Sequence, residues 1–497
     1  MVGLGFILVR EERGRESAVD VNLLYSQARR SFGVWKDTSL SERLDYLRAL
    51  RYVMVESVDE IVDVIQKSTG KVAFEALTAE VLTVIDTIAY WEKEAHKILG
   101  IRKVPTPLLL QRRRSWIEFK PRGVVLVISP WNYPFQLTAI PMLAAVVAGN
   151  TVIVKPSEVT PEIGGLLARL IEKAGFPEDV VQIIDGDGDV GAALVSGKPD
   201  FIFFTGSVRT GKEIQKTAAE HLIPTVLELG GKDAMIVLDD APLERSVNGA
   251  LWGAFTNCGQ VCMSTERLYV QKGIYESFSE KLVSALQHVT MGEMTSAAQV
   301  QIVRDQIEDA LEKGARLLVG VPPSQWEEDS MEIRPTVLVN VNEDMAIWHE
   351  ETFGPVVPLI PFESEKEVVE SVNGSPFGLS ASVWSQDLKR GKKLAEQLDA
   401  GSININDVMI TVANPHLPFG GVKASGLGRY HGCEGLRVFC HETAFMASKG
   451  TRRTELNWYP YTEEKYDFVL SVLENIFGRK KRWGRIIKKA VNPRIWQ

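Results

Sequence analysis

The chain has 497 residues, of which 45% are hydrophobic and 24% charged, and its formal net charge is −8. This composition is typical of a globular protein and excludes a disordered or fibrous one, and the length predicts two or three domains. The acidic balance argues against a general nucleic-acid-binding protein.

The number of cysteines and the sequence of the N-terminal residues indicate the cellular compartment. Four cysteines are too few for a disulfide framework in a chain of this length, which suits a reducing, cytoplasmic compartment. They show no zinc-ligand spacing, so no metal site is predicted. The first nine residues are apolar but lead directly into Arg10-Glu11-Glu12-Arg13, and they do not predict a signal peptide. No run of eighteen apolar residues predicts a membrane-spanning helix.

The first hundred residues predict helices. From about Val19 to Leu99 apolar residues recur at helical spacing, as in the stripe formed by Leu40, Leu44, Leu47 and Leu50. Residues 101–120 differ, because prolines and an alternating pattern predict an extended arm or hairpin outside the main fold.

An alternating α/β pattern follows. Short apolar runs predict five strands, at 123–128, 151–154, 181–184, 201–204 and 225–227. Helices are predicted between them, at about 138–147, 161–174, 190–195 and 210–220. Strands that are apolar throughout are typical of a sheet buried on both faces. The pattern predicts a doubly wound parallel sheet that binds ligands at the carboxyl ends of its strands.

A second α/β unit is predicted after Gly231. It has a helix before Cys262 and another at 275–288. Its strands are predicted at 234–238, 267–270, 336–341, 356–362, 381–384 and 402–406. The boundary between the two units falls near Glu228-Leu229-Gly230-Gly231. A cleft between two such units is a usual place for an active site.

Two residues near this boundary have the chemistry of a covalent mechanism. Glu228 lies among apolar residues before a Gly-Gly turn, and Cys262 follows a Gly-Gln pair. A thiol nucleophile and a carboxylate base are what such a mechanism requires. The alternative is that Cys262 is a buried packing residue, as free cysteines often are. Asn132, after the first strand of the sheet, could donate its amide to an oxyanion or serve only as a turn residue.

Two further turns suit a dinucleotide. Thr205-Gly206-Ser207 opens a helix, where backbone amides and the Ser207 hydroxyl can bind a pyrophosphate. Lys155-Pro156-Ser157-Glu158 ends the second strand, where a lysine and a glutamate can bind the hydroxyls of an adenosine ribose. The alternatives are an ordinary turn for the first segment and a solvated surface turn for the second.

In this order, the motifs resemble those of the NAD(P)-dependent aldehyde dehydrogenase superfamily from about residue 20 to about residue 445. The 34 residues from Glu228 to Cys262 fit the same pattern. Tyr133-Pro134-Phe135 and Asn406-Asp407-Val408-Met409 are most similar to the class that acts on medium-chain, long-chain or aromatic aldehydes. The motifs are 130–134, 155–158, 204–207, 227–232, 257–262, 350–356 and 417–421.

The resemblance implies a mechanism. Cys262 attacks the aldehyde carbonyl as the thiolate, and the Asn132 side chain and the Cys262 backbone N–H hold the oxyanion. Glu228 then activates the water that hydrolyses the thioester, which favours a carboxylic acid product over transfer to coenzyme A. Cys258 is expected to be either a small packing residue or a reversible disulfide partner of Cys262.

The resemblance also implies the cofactor contacts. A carboxylate at Glu158 repels a 2′-phosphate, which favours NAD over NADP. The adenosine ribose is assigned to Lys155 and Glu158, the pyrophosphate to Gly206 and Ser207, and the nicotinamide ribose to Glu351 and Phe353. The further expected contacts are Trp131, Ser157, Gly211 and Leu229.

The expected fold is that of the family, with two doubly wound α/β domains and a small β arm. The NAD-binding domain is expected at 1–102 and 122–230 and the catalytic domain at 231–412. The oligomerisation arm is expected at 103–121 and 413–447, followed by a tail at 448–497. The arm implies a homodimer or a dimer of dimers.

The tail has two parts. Tyr466, Val469, Leu470, Leu473, Ile476 and Phe477 form an apolar helical stripe. Residues 479–497 then contain eight basic residues and no acidic one, with Trp483, Ile486, Ile487 and Ala490 on one face. This segment predicts an interfacial helix attracted to the anionic inner face of a membrane. The alternatives are a solvated tail or one docked on a partner subunit.

The main hypothesis is NAD-dependent oxidation of a hydrophobic aldehyde, whether long-chain, aromatic or isoprenoid-like. One alternative is a dehydrogenase of a small soluble aldehyde such as a semialdehyde, which a basic anchor in the substrate mouth would favour. The other is a non-catalytic scaffold, and the presence of Cys262, Glu228 and Asn132 counts against it.

Overall fold

The computed structural model describes residues 20–110 and 112–478. Among them, 101–118 and the residues from Thr443 onward form a smaller unit, and the others form a larger one. No helix in these described ranges is long and apolar enough to cross a membrane. The basic segment 479–497, with its predicted interfacial helix, lies outside the described residues.

The first sheet of the larger unit has six strands. Their order is Gly426–Leu427, Thr225–Glu228, Phe201–Thr205, Val124–Ile128, Thr151–Lys155 and Val181–Ile183. The first pair is antiparallel and the other neighbours are parallel. The helices that connect the strands are Pro134–Val147, Glu162–Lys173, Gly188–Ser196 and Val208–Glu220. The predicted doubly wound sheet is confirmed, and its sixth strand was missed because two residues carry no periodicity.

The second sheet has seven strands. Their order is Arg316–Val319, Thr336–Val339, Val356–Phe362, Thr265–Gln271, Asp233–Val237, Ser380–Trp384 and Ser402–Ile405, and the first strand is antiparallel to its neighbour. The helices that accompany it are Leu243–Phe255, Tyr275–Leu286, Ala297–Glu312, Ala346–His349, Glu365–Asn373 and Leu388–Ala395. The Arg316–Val319 strand was not predicted from sequence, because it is short and lies at the sheet edge.

A helical layer precedes the first sheet. Its helices are Val21–Trp35, Leu40–Glu56, Val58–Thr69, Ala73–Glu75 and Thr83–Leu99, with a π-helical turn at Ala76–Leu82. Ser39 and Glu42 form a capping box at the start of the second helix. Gly70 ends the third helix in the left-handed conformation at φ 76°. Leu44, Leu47 and Leu50 of the predicted stripe are buried.

The two sheets are joined by the Gly230-Gly231 turn. A Cβ at Gly230 would overlap the Glu351 carboxylate, and one at Gly231 would overlap the Cys262 carbonyl. Only glycine permits such close approach of the backbone. The turn therefore brings the end of the strand Thr225–Glu228 against the loop that carries the thiol.

The smaller unit is built on a three-stranded sheet. Its order is Arg102–Val104, Arg113–Pro121 and Cys440–Ser448, and the first two strands form the predicted hairpin. Trp116 stacks on Phe445 with ring centroids 5.2 Å apart. The helix Glu463–Val472 follows, and it continues as a π-helical turn at Leu473–Phe477.

Two features concern the segments expected at 413–447 and in the tail. Residues 413–442 are grouped with the larger unit, where Gly426–Leu427 completes the first sheet. The predicted apolar stripe of the C-terminal helix is largely exposed. Phe468 and Val472 are buried, whereas four residues of the stripe are exposed: Tyr466, Leu470, Leu473 and Phe477.

Candidate active site

The loop that carries Cys262 has an unusual backbone. The helix Leu243–Phe255 ends in a short turn in which Asn257 and Cys258 have φ of 49° and 55°. Gly259 follows at φ 69°, and a Cβ there would overlap the Gly354 carbonyl. Non-glycine residues at positive φ persist only where the surrounding structure fixes them, and they concentrate at functional sites. The thiol is thus presented by a loop with a fixed conformation.

The two cysteines of this loop have different surroundings. Cys262 lines a cavity, whereas Cys258 is buried and packs with Met294. The Cys258 thiol donates a hydrogen bond to the Gly292 carbonyl at 3.1 Å, and burial raises its pKa to about 12. Both cysteines are free thiols. These contacts are those of a packing residue, the first of the two expectations for Cys258.

Glu228 ends a strand of the first sheet and lines the same cavity as Cys262. Both of its carboxylate oxygens are buried without a hydrogen-bond partner among the described residues. Burial raises its pKa well above the usual value, and the charge of Arg429 offsets only part of that effect. Burial also raises the pKa of Cys262, and the nearby carboxylates add to the shift. A thiol of raised pKa needs a base, and an adjacent carboxyl of raised pKa can serve as one near neutral pH.

Asn132 is tied to the loop of the nucleophile. Its side-chain amide donates to the Gln260 carbonyl at 3.0 Å. The Asn257 side chain donates in turn to the Asn132 carbonyl at 3.0 Å. One cavity is lined by all three predicted catalytic residues, Asn132, Glu228 and Cys262. The structure therefore brings together residues from three separate motifs.

A buried ion pair supports the turn of Asn132. Lys71 Nζ lies 2.5 Å from Glu80 Oε1 and donates to the Asn132 carbonyl at 2.8 Å. The other Glu80 oxygen accepts hydrogen bonds from the backbone N–H groups of Phe135 and Gln136. Both charged side chains are fully buried. This pair was not predicted from sequence. A lysine and a glutamate nine residues apart give the same sequence pattern whether their side chains are buried or exposed.

The Glu351 loop faces the Gly-Gly turn. Glu351 accepts a hydrogen bond from the Gly231 N–H at 2.9 Å, and burial raises its pKa to about 8. Glu266 accepts hydrogen bonds from the N–H groups of Thr352 and Phe353 and thereby fixes the loop. Phe353 meets the Trp131 ring edge-on, with centroids 5.4 Å apart. The expected nicotinamide-ribose residues, Glu351 and Phe353, thus line the cavity that Asn132, Glu228 and Cys262 share.

A second cavity of about 780 Å³ extends along the carboxyl edge of the first sheet. Ser207 caps the helix Val208–Glu220, which leaves the N–H groups of its first turn facing that edge. The Thr205 hydroxyl is buried there without a partner among the described residues. Five of the expected cofactor residues besides Trp131 line this cavity: Lys155, Ser157, Glu158, Gly206 and Ser207. A groove with a helix N-terminus and an unsatisfied hydroxyl fits a dinucleotide.

Gly211 and Leu229, two of the expected cofactor residues, do not line the second cavity. Gly211 lines none of these cavities and lies against Leu229, whose side chain a Cβ at Gly211 would overlap. Leu229 itself lines the cavity that contains Glu228 and Cys262. The glycine therefore allows close packing of a helix on the Leu229 side chain.

A third, strongly apolar cavity of about 280 Å³ reaches Cys262 and Glu228 from another direction. One wall is the helical segment 74–83, and the other side includes Trp252 and residues 409–413. No lysine, arginine or histidine lines it within the described residues. Sequence analysis did not assign this lining, because it comes from segments that are far apart in the chain. No metal-binding group of histidine, cysteine and carboxylate side chains occurs in the described ranges.

Glu158 has the charge that was expected to select the cofactor. Its carboxylate lies 2.8 Å from Lys155 Nζ. Burial alone would raise the pKa of Glu158, but the hydrogen bond and charge of Lys155 reverse that effect and lower it. The Glu158 side chain therefore keeps its negative charge in the cavity at the carboxyl edge of the first sheet.

Comparison with known proteins agrees with this geometry. The model of the aldehyde dehydrogenase family matches residues 12–444. The chain is 42% identical to a 4,4′-diapolycopene aldehyde oxidase of Methylomonas sp. over 91% of this chain and 86% of that protein. It is 34% identical to a putative succinate-semialdehyde dehydrogenase [NADP(+)] 2 of Mycobacterium ulcerans, over 87% of this chain and 85% of that protein.

Solved structures give the same result. The NAD+ complex of an aldehyde dehydrogenase from Bacillus cereus is 34% identical, with a TM-score of 0.81, and the match covers 86% of this chain and 89% of that one. An NAD-dependent aldehyde dehydrogenase from Sinorhizobium meliloti is 31% identical, with a TM-score of 0.83, over 89% and 88% of the two chains. The protein is thus an oxidoreductase with the aldehyde dehydrogenase fold, and the chain belongs to the aldehyde dehydrogenase family.

Proposed function

We propose that this protein oxidises a hydrophobic aldehyde, whether long-chain, aromatic or isoprenoid-like, to the carboxylic acid with NAD. The observation that carries the proposal is the apolar cavity that reaches Cys262 and Glu228. Burial of apolar substrate surface against such a wall contributes about 25 cal/mol per Å² to the binding free energy. The relative from Methylomonas, whose name specifies a diapolycopene aldehyde, supports an isoprenoid-like substrate.

A small semialdehyde is the alternative substrate, and the name of the mycobacterial relative supports it. A semialdehyde carries a carboxylate that needs a cationic partner once water is removed. In the described lining of the apolar cavity the charged side chains are Glu75 and Glu228. This lining favours the hydrophobic substrate.

The side chains have defined roles in the proposed reaction. Cys262 adds to the aldehyde carbonyl, and its proton leaves to a base. The amide of Asn132 and the Cys262 backbone N–H hold the oxyanion. After oxidation the acyl group remains on the sulfur as a thioester. Glu228 then accepts a proton from the water that attacks the thioester, and the acid is released with the free thiol.

The cofactor site is proposed at the carboxyl edge of the first sheet. Lys155 and Glu158 would hold the adenosine ribose, Ser207 and the helix it caps would hold the pyrophosphate, and Glu351 would hold the nicotinamide ribose. NAD, when bound, supplies the hydride acceptor. The Glu158 carboxylate, which Lys155 keeps charged, supports NAD over NADP because a 2′-phosphate would meet a like charge.

Substrate profiling tests the proposal. Saturated aldehydes from two to sixteen carbons and a conjugated polyene aldehyde are assayed with NAD and with NADP in parallel, together with succinate semialdehyde. We expect kcat/KM to rise with chain length, because each buried methylene contributes about 0.8 kcal/mol, and to be higher with NAD. A higher kcat/KM for succinate semialdehyde than for the long-chain aldehydes would contradict the proposed substrate class.

We also propose that the enzyme is a cytoplasmic homo-oligomer, a dimer or a dimer of dimers, that binds an anionic membrane surface through residues 479–497. The eight basic residues of that segment support the membrane contact at about 1 kcal/mol each. Co-sedimentation with phosphatidylserine vesicles tests it for the full chain and for a variant that ends at Gly478. Equal sedimentation of the two would contradict it.

A further inference from the structure

One carboxylate in the wall of the apolar cavity has no cationic partner. Glu75 ends the short helix Ala73–Glu75 and lines the cavity beside Phe74 and Thr78. In the ranges that the structure describes, no lysine or arginine forms an ion pair with it. The nearby Lys71 is bound to Glu80 and to the Asn132 carbonyl. The Glu75 charge therefore stands uncompensated at the cavity.

The Glu75 side chain is held in place by only one of its oxygens. Oε1 accepts a hydrogen bond from the Thr256 hydroxyl at 2.8 Å and from the Asn257 N–H at 2.9 Å. Oε2 is buried without a hydrogen-bond partner among the described residues. Oε1 thus fixes the carboxylate against the loop of the nucleophile, whereas Oε2 has no hydrogen-bond donor among the described residues.

The charge of Glu75 acts on its surroundings. Burial raises the pKa of Tyr133, which lines the same cavity, and the negative charges of Glu75 and Glu80 add to that effect. Glu228 is the other acid in the described lining of this cavity. Of the two, Glu75 is the one that hydrogen bonds fix against the nucleophile loop, beside the path of a substrate to Cys262.

We infer that Glu75 determines the charge specificity of the site: it excludes aldehydes that carry a second, anionic group and favours neutral or cationic ones. The inference rests on the proposed oxidation of aldehydes at Cys262. Between apolar walls a like charge is screened less than in bulk water, so repulsion acts on a substrate carboxylate that enters the cavity. The same wall would then separate this enzyme from a dehydrogenase of anionic semialdehydes.

A substitution that changes charge without changing shape tests the inference. Glu75→Gln keeps a carbonyl oxygen that can accept both hydrogen bonds from Thr256 and Asn257. Three aldehydes with the same six-carbon chain serve as probes: 6-oxohexanoate, its neutral methyl ester, and 6-(trimethylammonio)hexanal. The readout is the ratio of kcat/KM for each charged aldehyde to that for the ester, because a purely structural change would move all three together.

We expect the anion-to-ester ratio to rise about tenfold in Glu75→Gln, a typical effect of removing one like charge from a poorly screened site. The cation-to-ester ratio should fall. Unchanged ratios, or ratios that move in the same direction, would overturn the inference. The matched control is Glu308→Gln on the exposed face of the helix Ala297–Glu312, which should change neither ratio.

A second variant covers the case in which Glu75→Gln does not fold. Thr78→Lys adds a positive charge to the same wall and should also raise the anion-to-ester ratio. No change in that ratio would contradict the inference independently. Failure of the wild-type enzyme to oxidise any of the three aldehydes or the longer ones would instead overturn the proposed function, so the two failures are distinguishable.

Discussion

At the residue scale, burial is the dominant influence on the catalytic pair. It raises the pKa of both Cys262 and Glu228 above their usual values. The absence of any described hydrogen bond to the Glu228 carboxylate leaves both oxygens free to accept a proton. Both groups therefore favour their protonated forms more than the same groups do in water. Cys258, four residues earlier, is held by packing and one hydrogen bond.

The two cysteines should therefore respond differently to substitution. Cys262→Ala should lower kcat by roughly three orders of magnitude or more, because no other group replaces the nucleophile. Cys258→Ser can keep the hydrogen bond to the Gly292 carbonyl and should retain most of the turnover. Steady-state kinetics with decanal and NAD measure both. Comparable losses in the two variants would contradict the assignment of the nucleophile.

At the element scale, the segment from Lys71 to Thr83 organises the site. It pairs Lys71 with Glu80, supplies Glu75 to the nucleophile loop and forms a wall of the apolar cavity. Its π-helical turn, Ala76–Leu82, is of a kind that often occurs at functional sites. This π-helical turn follows directly after Glu75, which contacts the nucleophile loop, and it contains Glu80, which pairs with Lys71.

Breaking the buried ion pair should be costly. Lys71→Met leaves Glu80 buried without its cation, and loss of one partner of such a pair costs about 3–5 kcal/mol. We expect a lower melting temperature together with a lower kcat, because Lys71 also holds the Asn132 carbonyl. Thermal unfolding and steady-state kinetics measure the two effects.

The double variant Lys71→Met/Glu80→Gln provides the control. It removes both charges and keeps an acceptor for the N–H groups of Phe135 and Gln136. It should recover part of the lost melting temperature. The loss of melting temperature in the double variant is compared with the sum of the losses in the two single variants. A larger loss in the double variant would show that the ion pair is not what stabilises this segment.

At the scale of the whole molecule, the proposed catalytic groups come from both sheets. Asn132 and Glu228 follow or end strands of the first sheet, and Cys262 precedes a strand of the second. Ends of adjacent parallel strands meet at one edge, so residues far apart in sequence converge there. The Gly230-Gly231 turn connects the two sheets at that place.

The same physics determines what could be predicted from sequence. Buried strands such as Val124–Ile128 are apolar throughout, so the first sheet could be predicted from sequence. The turns that follow such strands carry the motifs, and the catalytic roles assigned to their residues remain proposals. The partner of Lys71, the contacts of Glu75 and the cavity lining depend on tertiary packing, which leaves no period in the sequence. The apolar stripe of the C-terminal helix does not by itself indicate which face is buried, because that depends on the packing of Phe468 and Val472.

Buried acids should make stability depend on pH. Burial raises the pKa of Asp233 to about 8, although hydrogen bonds from Ser380 oppose the shift. The unfolded pKa is near 3.9. Because the folded pKa is the higher one, the stability contributed by this proton is full below about pH 4 and is lost as pH rises through about 8.

Asp233→Asn should remove this dependence. The melting temperature of the variant minus that of wild type should be larger at pH 9 than at pH 6, because the variant never has to bury a charge at this position. Asp59→Asn, on an exposed helix position, is the matched control and should show no such trend. A difference between Asp233→Asn and wild type that is constant from pH 6 to pH 9 would contradict the burial argument.

In the proposed reaction Cys262 carries the acyl group while Glu228 activates the hydrolytic water. The most direct measurement is peptide mass spectrometry of Glu228→Gln after mixing with decanal and NAD, together with the amplitude of NADH formation. We expect about one NADH per active site, followed by little further turnover, and a decanoyl mass on the peptide that contains Cys262. Continued turnover at the wild-type rate, or a burst without an acyl group on Cys262, would contradict the account.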